Sequence, residues 1–177
     1  MVYDLSQIHV LVVDQDDHVT STWRWLLEGL GVARWQHVPD AAAAWKVLCA
    51  HGIRSGRDRV DALICRWELP AAEGDLSDGL DLIRRLRNEP ASPNPFLPAI
   101  IVTATITRER VREALDAGVN ELLVLPLSAK SLEIRLREVI DKPRKFVRGG
   151  GYFGPDRRRF TRPDYPGPFR RAEDAEE

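Results

Sequence analysis

The chain has 177 residues, 44% hydrophobic and 30% charged, with a formal net charge of −1 at pH 7. This is the composition of an ordinary water-exposed domain, long enough for one full core plus an appendage. No apolar run approaches the length needed to span a bilayer, and the N-terminus Met-Val-Tyr-Asp-Leu-Ser lacks the basic-then-apolar pattern of an export signal, so a cytoplasmic protein without membrane insertion is expected.

The near-neutral total conceals an asymmetry. From Lys142 onward ten Lys/Arg face six Asp/Glu, whereas the residues before it carry sixteen and twenty-one. The body is mildly acidic and the tail basic. Cys49 and Cys65 both lie in apolar runs and read as small core residues of a reduced protein. No histidine-bearing motif accompanies either, which disfavours a disulfide or a thiol nucleophile. His9, His18, His37 and His51 show no ligand spacing, so no metal site is expected.

In chain order, Ile8–Asp14 (IHVLVVD) is a short β-branched run, as for a strand buried on both faces of a parallel sheet. Residues 18–31 carry Val19, Trp23, Leu26, Leu27 and Leu30 at helical spacing, with Gly31 as a stop. ARWQHV (33–38) is a weaker strand, and Asp40 caps a helix over 41–52. VDALIC (60–65) is the third strand. GLDLIRRLRNE (79–89) is an amphipathic helix halted by the proline-rich PASPNPFLP. AIIVTA (99–104) is the fourth strand and TRERVREALDAG (107–118) a helix ending at Gly118. ELLVLP (121–126) is the fifth strand, followed by a helix over 128–141 with Ser128 as its cap. Five strands alternating with five helices predict an α/β fold, a doubly wound five-stranded parallel sheet over residues 1–141. Ligands of such sheets bind beyond the carboxyl ends of the strands, here Asp14, Arg66, Thr103 and Leu125. Residues 142–177 are rich in Gly, Pro and Arg and carry no apolar period, so a largely irregular extension is expected there.

The strand-end residues carry a family resemblance. VLVVD, WELP with the downstream Asp78-Gly79, IIVTA and DAGVNELLVLP together resemble the receiver domain of bacterial response regulators, the CheY-like fold, over roughly Ile8 to Ile140. The resemblance implies magnesium-dependent phosphoryl transfer from a histidine kinase to an Asp ending the third strand, read out at the fourth helix, fifth strand and fifth helix. Oxygen ligands from acidic residues would hold the metal, while a Thr and a Lys stabilise the acyl phosphate and an aromatic on the fifth strand reports the switch.

Carried over residue by residue, most of those roles fail. Asp14 keeps the first acidic position, but Gln15 replaces the second and Arg66 replaces the acceptor Asp. Thr103 is retained. Leu125 stands in place of the Lys, although Pro126 is kept, and Leu122 stands where the aromatic belongs. A guanidinium stays protonated and accepts no phosphoryl group, so a degenerate pseudo-receiver with no catalytic residues and no magnesium cofactor is expected.

Two readings of Arg66 stand side by side: an internal cation paired with Asp14, and additionally with Asp16 or Asp17, that locks one conformer, and a side chain swung out to solvent while water fills the pocket. The paired reading is favoured because arginine offers a bidentate fork within reach of acid. Asp16 and Asp17 read better as a cap for the first helix than as displaced metal ligands. Trp25 falls off its helical apolar stripe and, with Trp67, is a candidate exposed contact.

The extension holds a repeat, Tyr152–Arg158 (YFGPDRR) and Tyr165–Arg171 (YPGPFRR), sharing Tyr-x-Gly-Pro-x-Arg-Arg. Tyr152, Arg157, Arg158, Tyr165, Arg170 and Arg171 are its candidate partner-binding residues: the rings anchor, the Gly-Pro turns set direction and the arginines seek carboxylates or phosphates. The expected function is a phosphorylation-independent signalling adaptor that binds a protein partner through its fourth-helix to fifth-helix face, the arginine-rich tail, or both. The alternatives are a receiver that binds a small anion or nucleotide, and a scaffold or homo-oligomer subunit whose tail packs on a neighbour. A solubilising tail and nucleic-acid association are further readings, the latter disfavoured by the acidic body and terminus.

Overall fold

A computed structural model of the chain describes residues 4–52, 59–70, 76 and 78–157. After a single 3-10 turn at Leu5–Gln7 come β1 (His9–Val13), α1 (Asp17–Gly29), β2 (Arg34–Val38), α2 (Ala41–Gly52), β3 (Ala62–Arg66), α3 (Gly79–Asn88), β4 (Ala99–Thr103), α4 (Arg108–Asp116), β5 (Glu121–Val124) and α5 (Ala129–Asp141). The strands form one parallel sheet in the order β2-β1-β3-β4-β5. This is the doubly wound α/β architecture expected from the sequence.

Side-chain alternation along the central strands builds a core on each face. Leu11, Val13, Leu63, Cys65 and Ile101 point to the layer completed by α2 and α3. Val10, Val12, Ile64, Ile100 and Val102 point to the layer of α1 and α5, with Trp23, Leu27, Leu132 and Leu136. Each such aliphatic side chain contributes about 1.5–3 kcal/mol on burial. The expected caps form: Asp40 Oδ1 accepts the Ala43 amide at 2.7 Å, and Ser128 with Ser131 makes a reciprocal capping box on α5. Gly118 ends α4 at φ 82°, a backbone conformation that favours glycine. Cys65 is buried and Cys49 only partly so; both are free.

One element departs from the expected irregular extension. Residues 146–155 form an antiparallel hairpin, β6 (Phe146–Gly149) and β7 (Tyr152–Pro155). Gly150 and Gly151 turn it with φ of 54° and 73°. The hairpin lies at the amino end of the sheet, where Phe96, Phe146 and Phe153 form an edge-to-face cluster with centroids 5.2 to 5.5 Å apart. Beneath it Arg87, 2% exposed, donates to the carbonyls of Gly118, Pro95 and Leu97 and to Asn120 Oδ1. Burial pushes the Arg87 guanidinium down to about 10. Arg144 and Arg135 both reach the buried Glu121, tying the root of the extension to β5 and α5. Alternating hydrophobicity does not reveal such a hairpin because its strands have four residues each and hold two glycines, with two more in the turn.

Candidate functional site

The carboxyl ends of β1, β3 and β4 bring Asp14, Arg66 and Thr103 together. Asp14 is 1% exposed. Its Oδ1 accepts the Asp16 amide at 3.3 Å and its Oδ2 accepts Trp23 Nε1 at 3.3 Å. His37 Nε2 donates to the Asp14 carbonyl at 2.8 Å, and Thr20 Oγ1 lies 3.3 Å from the other ring nitrogen. Arg66 is held from below, since α3 begins directly against its backbone. The Gly79 amide donates to the Trp67 carbonyl at 3.0 Å, and a Cβ on Gly79 would stand 2.1 Å from the Arg66 carbonyl oxygen. Only glycine fits that approach.

The Arg66 side chain turns inward, as the paired reading required. Its Nη1 lies 3.7 Å from Asp14 Oδ2 and its Nε 3.6 Å from Glu68 Oε2. Neither separation is a hydrogen bond, so Arg66 acts here as a charge between two carboxylates. The second carboxylate differs from the expected one, for Glu68 fills the place proposed for Asp16 or Asp17. Glu68 Oε1 in turn accepts Arg110 Nη1 at 2.7 Å and the Thr103 hydroxyl at 2.9 Å. Arg110 also donates to Thr103 Oγ1 at 2.6 Å, and its guanidinium sits 4.4 Å over the Trp67 ring. Burial opposes ionisation of Glu68, but the hydrogen bonds from Arg110 and Thr103 outweigh it and hold the carboxyl below its usual range.

A charged chain therefore runs Asp14–Arg66–Glu68–Arg110, with Thr103 bonded to its last two members. Glu68 lies in the quoted WELP motif, and Arg110 sits 42 residues further along, on α4. No local period signals that pairing. The charge alternation becomes visible only when α4 folds over the strand ends.

Gln15 is exposed beside this chain, and Leu125 packs partly buried against the α1–α5 layer, so neither joins it. Leu122 packs partly buried against the opposite core. Trp67 is buried beneath Arg110, which corrects its reading as an exposed contact; Trp25 is 70% exposed, as expected. The residues gathered here do not fit magnesium. A dication would meet the Arg66 guanidinium, and the Asp14 and Glu68 oxygens are already engaged. Among the described residues no group of three His, Cys, Asp or Glu is placed to hold a metal. Burial, with Asp78 and Asp14 nearby, pushes the Cys65 thiol up, away from nucleophilic chemistry.

Of the tail residues, Tyr152 and Arg157 face their own domain. The Tyr152 hydroxyl donates to the Pro155 carbonyl at 2.8 Å, the Arg157 guanidinium stacks 3.9 Å from the Tyr152 ring centre, and Arg157 Nη1 pairs with Asp116 Oδ1 at 2.8 Å. Arg158, Tyr165, Arg170 and Arg171 lie outside the described residues.

Comparison with known proteins agrees with this arrangement of strands. The response regulator receiver domain matches residues 10–137. Chemotaxis protein CheY-3 of Vibrio cholerae is 26% identical over 137 residues, 77% of this chain and 95% of that protein. Chemotaxis protein CheY of Pseudomonas aeruginosa is 28% identical over 133 residues, 75% and 96% of the two chains. A CheY-like receiver domain protein from Methanospirillum hungatei superposes with a TM-score of 0.61 at 19% identity, covering 78% of this chain and 97% of that one. The receiver domain of a sensor histidine kinase from Pseudomonas aeruginosa, solved with a magnesium ion coordinated in its active-site cleft, superposes with a TM-score of 0.59 at 22% identity over 76% and 98%. With its strand order, its strand-end Asp14 and Thr103 and more than half its length matched, the chain belongs to the response regulator receiver domain family.

Proposed function

We propose that this receiver is a phosphorylation-independent adaptor in bacterial signalling, working in the cytoplasm without enzymatic activity and without magnesium. The observation that carries the reading is Arg66 at the acceptor position, set between Asp14 and Glu68. A receiver accepts a phosphoryl group on a carboxylate, and a protonated guanidinium offers no nucleophile. The charges that metal and phosphate would otherwise supply come from the chain itself. Glu68 is an anion held by the Thr103 hydroxyl and Arg110, and Arg66 is a cation beside Asp14. Because Arg110 belongs to α4, the ion chain ties that helix to the strand ends and holds one conformer. The face beside it offers apolar side chains to a protein partner, with Ile106, Val111 and Val124 all exposed around α4 and β5. The small-anion reading has less support, since Arg66, Arg110 and Thr103 already meet Glu68.

Incubation with acetyl phosphate and magnesium tests the reading. The wild-type chain stays unlabelled, and so does Arg66→Asp, because Gln15 and Leu125 still withhold a metal carboxylate and the Lys. Stoichiometric labelling of either protein overturns it.

A further inference from the structure

The hairpin explains each shared residue of the Tyr-x-Gly-Pro-x-Arg unit. Tyr152 folds back so that its hydroxyl reaches the Pro155 carbonyl, and its ring then offers a face on which Arg157 stacks. Gly154 lies under that ring: an added Cβ would stand 2.4 Å from the Tyr152 hydroxyl and 2.8 Å from Gly118 Cα. The aromatic, the glycine, the proline carbonyl and the arginine thus form one self-bonded knot. Its acceptor is the turn that closes α4, where Asp116 pairs with Arg157 and a Cβ on Gly118 would meet the Phe153 carbonyl at 2.9 Å. The lock needs an acidic residue, one spacer and a glycine that lets two backbones touch.

The chain carries two such units and one such acceptor. Tyr165, Gly167, Pro168 and Arg170 repeat the four residues at identical spacing, in a segment outside the described residues. Asp116-Ala117-Gly118 is the one place in the 177 residues where an acidic residue stands two positions before a glycine. The first unit fills it from within the same chain, where its effective concentration is on the order of millimolar. The second unit has no acceptor of this kind left at home.

We propose that the Tyr165–Arg171 unit docks in trans on the acid-x-Gly turn that closes the fourth helix of a second receiver domain, repeating the contact that Tyr152–Arg157 makes with Asp116 and Gly118. A receiver is the partner class indicated, because in this chain the acceptor turn belongs to the receiver fold itself. The inference rests on the partner-binding reading above and supplies the partner's chemistry. The labelling experiment involves no tail residue, so the two can fail separately.

The test uses a fluorescent peptide of residues 162–177 and the full chain as a surrogate acceptor. Tyr152→Ala and Arg157→Ala remove the first unit's ring and its ion pair with Asp116, loosening the hairpin from the acceptor, and Arg170→Ala silences the second unit. This triple variant binds the peptide in a salt-sensitive way. Binding falls about tenfold or more for the wild-type chain, for the triple variant with Asp116→Lys, and for a peptide with Arg170→Ala, the loss expected of one charge-assisted bond. Asp116 is exposed, so its reversal leaves the core untouched. Equal binding with and without Asp116→Lys, or none to a folded triple variant, overturns the proposal. A second measurement leaves the hairpin intact: an immobilised receiver domain with an acid-x-Gly turn after its fourth helix retains the wild-type chain and loses the Arg170→Ala chain, and equal retention of the two overturns it. Self-association of the wild-type chain that disappears in Arg170→Ala would place the unit on a second copy instead, and also overturns it.

Discussion

At the carboxyl ends of the strands Arg66 lies between two carboxylates, Asp14 at 3.7 Å and Glu68 at 3.6 Å, and about a fifth of its side chain still meets solvent. At the amino ends Arg87 is 2% exposed and is held by three carbonyls and an amide oxygen, with no ion pair among the described residues. Phe146 of the hairpin closes over it, its ring centre 5.0 Å from the guanidinium. Both ends hold an arginine near the strands, yet the physics differs. Where such a charge chain is partly exposed, at Arg66, Glu68 and Arg110, it is weak and adjustable, and those three members can be exchanged at little cost to the fold. A buried donor to four oxygens is structural, because its removal takes the guanidinium from three carbonyls, leaving only Asn120 Oδ1 with another donor, the Ala99 amide. The carboxyl end of the sheet thus holds a partly exposed ion chain, and the amino end a buried arginine covered by the hairpin.

The largest effect should come from breaking the amino end. Arg87→Leu leaves the Leu97, Pro95 and Gly118 carbonyls without their guanidinium donor, while Asn120 Oδ1 keeps the Ala99 amide, and should lower unfolding stability by about 3 kcal/mol in urea titrations. A loss below ~1 kcal/mol would mean that water replaces the guanidinium and that the contrast between the ends is smaller than drawn here. Phe153→Ala opens the aromatic cluster and should cost about 2 kcal/mol, below the usual range for truncating a buried aromatic because its neighbour Phe96 is exposed. It should also speed amide exchange in β6 and β7 ahead of the five-stranded sheet.

Substitutions at the carboxyl end should cost less and move more. Glu68→Gln removes the charge between Arg66 and Arg110, with a stability change below about 1 kcal/mol. Amide exchange should nonetheless rise in residues 104–112, where α4 loses the ion pair between Arg110 and Glu68. If exchange there is unchanged, the ion chain does not hold the helix. The smallest effect is that of pH. Glu68 ionises more readily in the folded chain than its ordinary value of 4.5, so its contribution is fully present above that value. It disappears as pH falls through the lower folded value, and the tether should be insensitive to pH between about 5 and 8, as read by exchange of the same residues.

The reach of sequence reasoning follows the same division between near and far. VLVVD, AIIVTA and the helical spacing of Trp23, Leu26, Leu27 and Leu30 are local patterns with periods of two or 3.6 residues, and every one appears in the structure as the expected element. The substitutions at Gln15, Arg66 and Leu125 are equally legible, because they concern which side chain stands at a strand end. Burial in a parallel sheet sets those periods, and burial is written residue by residue.

The partners of those side chains are a different matter. That Arg66 would face Asp14 could be argued from the topology of adjacent strands. That Glu68 would complete the pair, with Arg110 reaching it from 42 positions away, depended on where α4 comes to rest. The hairpin at 146–155 was decided in the same way. Its strands are too short and too rich in glycine to show a period, and they gain their stability from Phe96, Arg87 and the Gly118 turn, all supplied by the folded domain. By itself the sequence determined the fold and which side chain stands at each strand end, Arg66 at the end of the third. Only tertiary structure decided which groups those side chains meet, because charges and aromatic rings choose neighbours by distance in space, which local periodicity does not encode.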